Sequence, residues 1–140
     1  MMTATKGSYV DRALQLLKDL IAVDSVNPTL VPGASGEAAI ARTLADAMQA
    51  MGLTVEMQHV ADGRPNVVGK LSGKAPGRSL MFCGHIDTVG VAGMSTPFDP
   101  VEKDGRIYGR GSQDMKSGVA AMIDATCLLY TSDAADDTPC

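Results

Sequence analysis

The sequence predicts an α/β domain with a mixed sheet. Three observations carry this: two segments with helical apolar spacing, several with the two-residue alternation of strands, and one short apolar run that stops at a histidine. Elements of the two periods alternate along 140 residues, enough chain for one domain with its own core.

The first helix is expected from Ser8, which with Asp11 at its N3 position has the form of a capping box. Val10, Ala13, Leu14, Leu17, Leu20 and Ile21 then recur on one face, and Asn27-Pro28 marks the stop. A Pro/Gly loop separates it from a second helix over about Ser35 to Met51, built on Ile40, Leu44, Ala47, Met48 and Met51, with Gly52 as C-cap glycine. The period then falls to two. Leu53, Val55 and Met57, with the alternation to Val60, predict a half-buried strand, and Asn66 to Leu71 a second one. After the turn SGKAPGR, Ser79 to Gly84 is an apolar run of the kind buried on both faces of a sheet. Val101–Lys103 and Arg106–Tyr108 flank Asp104-Gly105, the strongest two-residue hairpin signal. From about Met115, MKSGVAAMIDA predicts a helix whose small residues allow close packing on a sheet. No internal repeat is present.

Composition narrows the classes. At 45% hydrophobic and 20% charged residues the chain is an ordinary globular sequence. Three acids fall within the last 14 residues, which hold no Lys or Arg; residues 1–126 carry 13 acids against 12 bases, a net charge of −1. No basic surface for nucleic acid is expected. The N-terminus lacks the apolar run of a secretory signal, and no segment approaches the roughly 18 apolar residues of a membrane span. A cytoplasmic location and no membrane partner are the expectation. Cys83, Cys127 and Cys140 have no CxxC spacing, which argues against a disulfide framework or a cysteine zinc site. Cys83 is expected to be a small buried hydrophobe.

Two segments carry chemistry. Gly84-His85-Ile86-Asp87-Thr88-Val89 follows the apolar run, at the strand end where open α/β sheets place their ligands. In extended backbone His85 and Asp87 point to one side, so a carboxylate could fix the tautomer of a metal-binding imidazole. Standing alone, HxD is weak evidence and a structural hydrogen-bonded pair is its favoured reading. The second segment, Tyr108-Gly109-Arg110-Gly111-Ser112-Gln113-Asp114-Met115-Lys116-Ser117-Gly118, is a glycine-rich loop entering a helix. Gly109 and Gly111 match the start of GxGxxG, but the third position is Asp114, whose charge would repel a pyrophosphate. Alone, Asp114 reads equally as a helix cap or a ligand.

Together, GHIDTV and GRGSQDMKSG closely resemble the paired signatures of the M20 family of metallopeptidases and deacylases, and the resemblance spans roughly residues 8–126. It implies an incomplete three-layer catalytic domain of the zinc-exopeptidase type. His85 would ligate one of two zinc or cobalt ions, Asp87 would orient the His85 ring in a catalytic role, and Asp114 would bridge both metals. The peptide bond after Asp114 would be cis. Gly90 stands where a proline is common and Ser117 where glycine is common. The implied reaction is hydrolysis of the amide of an N-acyl amino acid, acetylornithine deacetylation being the narrowest reading. Two bridged cations activate water and polarise the amide carbonyl, and a glutamate base moves the proton. The substrate is a small N-acyl amino acid or short peptide, and the full-length parent would be a homodimer. Exopeptidase action on dipeptides or C-terminal residues, or a non-catalytic binding domain, are the alternatives.

The family's Glu-Glu pair, later acidic ligand and second histidine have no counterpart here, and His59 is expected on a strand surface. From Cys127 the helical pattern is expected to give way, since CLLYTSDAAD resembles an in-frame translation of a sequencing adapter. The division is therefore 1–126 as the N-terminal part of a catalytic domain and 127–140 as a non-native tail, the fragment itself being inactive.

Overall fold

In the computed structural model the described residues are 6–73 and 76–133. Their elements, in order, are α1 (Lys6–Ile21), α2 (Ala38–Ala50), β1 (Thr54–Ala61), β2 (Arg64–Lys70), β3 (Val101–Lys103), β4 (Arg106–Tyr108) and α3 (Ser117–Asp133). Helix and strand are mixed, consistent with an α/β class, but they do not alternate as expected: two helices precede four strands and a third helix follows.

The core is made by the helices. Leu16, Leu17, Leu20 and Ile21 of α1 pack with Ile40 and Leu44 of α2 and with Val119, Ala120 and Ile123 of α3. Each such Leu or Ile contributes about 1.5–3 kcal/mol on burial, so this cluster dominates the stability of the described residues. Val10, expected on the same stripe of α1, is 58% exposed. α1 starts at Lys6, so Ser8 lies inside the helix and is not its cap. The C-terminus of α2 is as expected. Gly52 has φ +84°, its N–H donates to the Gln49 carbonyl at 2.9 Å, and the Leu53 N–H donates to the Met48 carbonyl at 3.0 Å. These are the two bonds of a Schellman motif. Ion pairing adds a second link between helices, Arg12 of α1 meeting Asp124 of α3 at 2.6 Å.

The sheet departs from expectation. The strands form two separate antiparallel hairpins, β1–β2 and β3–β4, and among the described residues the one parallel pairing is the bridge Val26↔Thr88. Ser79 to Gly84 has no regular secondary structure and pairs with no strand among the described residues. Leu80 (72%), Met81 (84%) and Phe82 (45%) are consequently exposed, and so is Cys83. A run of this composition is buried only when strands flank both edges and other elements cover both faces. Here only its end is covered: a Cβ on Gly84 would stand 3.0 Å from Met115, 3.1 Å from Met122 and 3.3 Å from Val119.

α3 continues through residue 127 to Asp133, where the sequence suggested that helical pattern gives way. Cys127 is 1% exposed and disulfide-bonded, against the expectation of no disulfide, since connectivity cannot be read from spacing. The remainder of the expected tail, 134–140, lies outside the described residues. No helix of the described residues is long and apolar enough to cross a membrane.

Candidate metal centre

Two loops meet above the helical core. Residues 85–89 follow Ser79 to Gly84 and are held by the Val26↔Thr88 bridge, where the Asn27 N–H donates to the Thr88 carbonyl at 2.9 Å and the Thr88 N–H to the Ser25 carbonyl at 2.9 Å. Residues 109–116 run from β4 into α3 through a wide turn closed by the Lys116 N–H donating to the Gly111 carbonyl at 2.9 Å. Within that turn Asp114 and Met115 leave helical geometry, and the bond between them is cis, as the family resemblance implies.

Gly111 is required in this loop, for its φ is +81° and a Cβ there would stand 2.8 Å from Thr88 and 2.9 Å from Lys116. Lys116, 1% exposed, fixes the far end of the turn: its ammonium donates to the carbonyls of Leu20 at 2.8 Å and Val23 at 3.0 Å, at the C-terminus of α1. A cation suits the negative end of a helix dipole and satisfies carbonyls that have no helical partner. Burial pushes its pKa down to about 8, against the nearby charge of Asp24.

The three residues singled out by sequence come together around a cleft of about 280 Å³, lined also by Thr88, Arg110 and Gln113. His85 Nε2 lies 3.0 Å from Asp114 Oδ1. On the other side of the ring, Nδ1 is 3.1 Å from the Asp87 carbonyl and 3.2 Å from its carboxylate Oδ1. Asp87 Oδ2 accepts a 2.6 Å hydrogen bond from Asn27 Nδ2. His59, the only other histidine, is exposed on β1 and takes no part.

This arrangement constrains the protons. A neutral imidazole has one N–H, and both acceptors at Nδ1 are oxygens that can only accept. If Nδ1 holds the proton, the Nε2 lone pair faces the Asp114 carboxylate, which is repulsive unless the ring gains a second proton or a cation lies between them. The histidine pKa responds accordingly: desolvation lowers it, but the Asp114 hydrogen bond, the Asp87 carbonyl and the charges of both carboxylates together raise it above the ordinary value.

A zinc ion fits part of the way. Ligand bonds of about 2.0–2.2 Å in tetrahedral geometry separate a nitrogen and an oxygen donor by roughly 3.4 Å. The observed 3.0 Å needs a few tenths of opening, and the Asp114 side chain, 83% exposed, is free to give it. Among the described residues no group of three or more His, Cys, Asp or Glu could hold a metal ion. His85 and Asp114 are thus two donors toward a site that needs about four per zinc.

Two features were not foreseen from sequence. Asn27 marks a helix stop with Pro28 and lies in the SVNP loop, Ser25 to Pro28, that shares the family resemblance; its 60-residue reach to Asp87 has no local signal. Glu37 of the α2 entrance and Arg64 of β2 form a two-pronged ion pair, 2.8 Å from Nε and 2.5 Å from Nη2, while Arg64 Nη1 donates to Thr29 at 3.1 Å. That clamp braces the loop carrying Asn27.

Residues 81–136 match peptidase family M20/M25/M40. Over 127 aligned residues the chain is 35% identical to the N-formyl-4-amino-5-aminomethyl-2-methylpyrimidine deformylase of Bacillus subtilis strain 168, covering 86% of this chain and 29% of that protein. It is 36% identical to the succinyl-diaminopimelate desuccinylase of Delftia acidovorans (81% and 30% covered). It is 35% identical to the acetylornithine deacetylase of Proteus mirabilis (85% and 32% covered). With the paired motifs at His85 and Asp114, these similarities make the chain a member of peptidase family M20/M25/M40. It spans about 30% of the length of these relatives.

Proposed function

We propose that this chain supplies one side of a dinuclear metal centre in a hydrolase that cleaves the amide bond of small N-acyl amino acids. The observation that carries the reading is the His85 ring held between two carboxylates, with Nε2 turned to Asp114 across 3.0 Å and Nδ1 committed to Asp87. His85 would ligate one ion and Asp114 would bridge two, zinc or cobalt, while Asp87 holds the ring. When bound, the ions supply a water of lowered pKa and Lewis-acid polarisation of the amide carbonyl. The chain's own residues contribute orientation: Asp87 aims the imidazole, Gly111 and Lys116 set the turn that carries Asp114, and the cleft walls receive substrate. Names of the relatives favour acyl removal over exopeptidase action, since a deformylase, a desuccinylase and a deacetylase all release an acyl group. Acetylornithine-type deacetylation is the narrowest form of the proposal.

The larger frame is proposed with it. In the full-length protein, strands flanking Ser79 to Gly84 would complete a three-layer domain in the cytoplasm, and two copies would form a homodimer. With two donors alone, the 140 residues would bind metal weakly and show no turnover. Residues 127–140 are proposed to be non-native, which independent sequencing of the locus decides: recovery of the same 14 codons contradicts it. The activity test uses the full-length gene product with zinc or cobalt. Asp114→Ala should abolish hydrolysis of N-acetylornithine and lower metal content; retained turnover contradicts the bridging role.

A further inference from the structure

We infer that Asn27 is a positioning residue for the metal centre: it holds the Asp87 carboxylate against His85 Nδ1 and thereby keeps the Nε2 lone pair turned to the cleft. The inference rests on the proposed metal role of His85.

The geometry fixes the orientation of the Asn27 amide, which is ambiguous in most structures. Its Oδ1 accepts the backbone N–H of Thr29 at 2.8 Å, and a backbone N–H can only donate. Nδ2 must therefore be the end that faces Asp87, and it donates to Oδ2 at 2.6 Å. That leaves Asp87 Oδ1 beside His85, 3.2 Å from Nδ1, where its charge reinforces the hydrogen bond of Nδ1 to the Asp87 backbone carbonyl at 3.1 Å. The Asn27 backbone is fixed as well. Its N–H donates to the Thr88 carbonyl, its own carbonyl accepts the N–H groups of Leu30 at 3.1 Å and Val31 at 2.9 Å, and the Glu37–Arg64 clamp ties the same loop through Thr29. A donor on so constrained a base acts as a rigid stop.

The consequence concerns proton placement. The His85 ring stands between two carboxylates of different freedom, Asp87 with its side chain 25% exposed and Asp114 with 83%. Whichever holds the single N–H of the neutral ring decides whether Nε2 can accept a cation. With Asn27 present, the Asp87 carboxylate charge stays beside Nδ1 and favours the proton there. Without it, the Asp87 carboxylate can turn to solvent, leaving its backbone carbonyl as the one remaining Nδ1 partner, and the proton shifts toward Nε2 and Asp114.

The test uses the 140-residue chain with ¹⁵N-labelled histidine, metal-free and alkaline enough that the ring is neutral. Two-bond ¹⁵N–¹H correlation reads the tautomer of each ring, and exposed His59 serves as the internal reference. Asn27→Ala should lower the Nδ1–H to Nε2–H ratio of His85 by roughly tenfold, the scale of moving one carboxylate charge away from the ring near a protein surface, with His59 unchanged. Asp87→Ala should do the same. The double variant should fall no further than Asp87→Ala alone, because the two residues act in series. Asn27→Asp keeps the acceptor for Thr29 but replaces the donor with a carboxylate that repels Asp87, so it should lower the ratio as well, in a chain that stays folded by circular dichroism. An unchanged ratio in both Asn27 variants, or losses that add in the double variant, would overturn the inference. Zinc titration of the wild type separates this from the larger reading. If zinc leaves His85 unmoved while the tautomer cycle behaves as stated, the metal proposal fails and Asn27 still sets the proton. If zinc binds at His85 and the cycle is additive, only the Asn27 role fails.

Discussion

Replacing Gly111 with alanine probes the loop that carries Asp114. The residue has φ +81°, and an L-residue in left-handed backbone costs about 1–2 kcal/mol. Its new Cβ would also stand 2.8 Å from Thr88 Cγ2, 2.9 Å from Lys116 Cδ and 3.0 Å from Lys116 Cε. Neither neighbour can withdraw easily. Thr88 is 3% exposed and fixed by the parallel bridge, and Lys116 is tethered by two carbonyls. Overpacking at such a point costs about 1–3 kcal/mol, so the total is about 2–5 kcal/mol. At about 3 °C per kcal/mol for a chain of this size, thermal unfolding followed by circular dichroism should fall by roughly 6–15 °C. Gly33→Ala is the matched control, since Gly33 has φ +82° but nothing within 4 Å of the added Cβ. It should lose only the backbone part. Equal losses for the two variants would refute the close-packing argument, and no loss for Gly111→Ala would refute the backbone argument as well.

The other predictions concern the supports and the open face. Glu37→Gln keeps the shape of a side chain that is 6% exposed but removes its charge from Arg64. A fully buried pair broken in this way costs about 3–5 kcal/mol. Arg64 is 32% exposed and can rehydrate, so about 2 kcal/mol is expected, read as a lower urea midpoint at unchanged slope. Met81→Lys changes a residue that is 84% exposed and should leave stability within about 0.5 kcal/mol while lowering light scattering from self-association. A large loss of stability there would show that the segment is packed in solution.

Local signals in the sequence were read correctly where the chemistry is local. Asp104-Gly105 gave the β3–β4 hairpin with the strand limits as observed, both turn residues having positive φ, +53° and +70°. Gly52 gave the end of α2 for the same reason. Asp62-Gly63, which joins β1 to β2, carries the same dipeptide signal, and Gly63 has φ +68°. The Ser79 to Gly84 run is not buried as expected because burial is a property of neighbours: Leu80, Met81, Phe82 and Cys83 state a need for cover without supplying it. Within the site, His85, Asp87 and Asp114 were legible because family motifs mark them. Asn27 and Lys116 were not, since their roles depend on contacts across 60 and more than 90 residues that no spacing rule encodes.

Zinc binding at His85 is the most direct test of the metal reading. Zinc added to the ¹⁵N-histidine-labelled chain should move the Nε2 resonance of His85 and leave His59 in place, and Asp114→Asn should weaken the effect by about tenfold or more. Equal shifts of both histidines, or undiminished binding in Asp114→Asn, would contradict the assignment of His85 and Asp114 as partners in a metal centre.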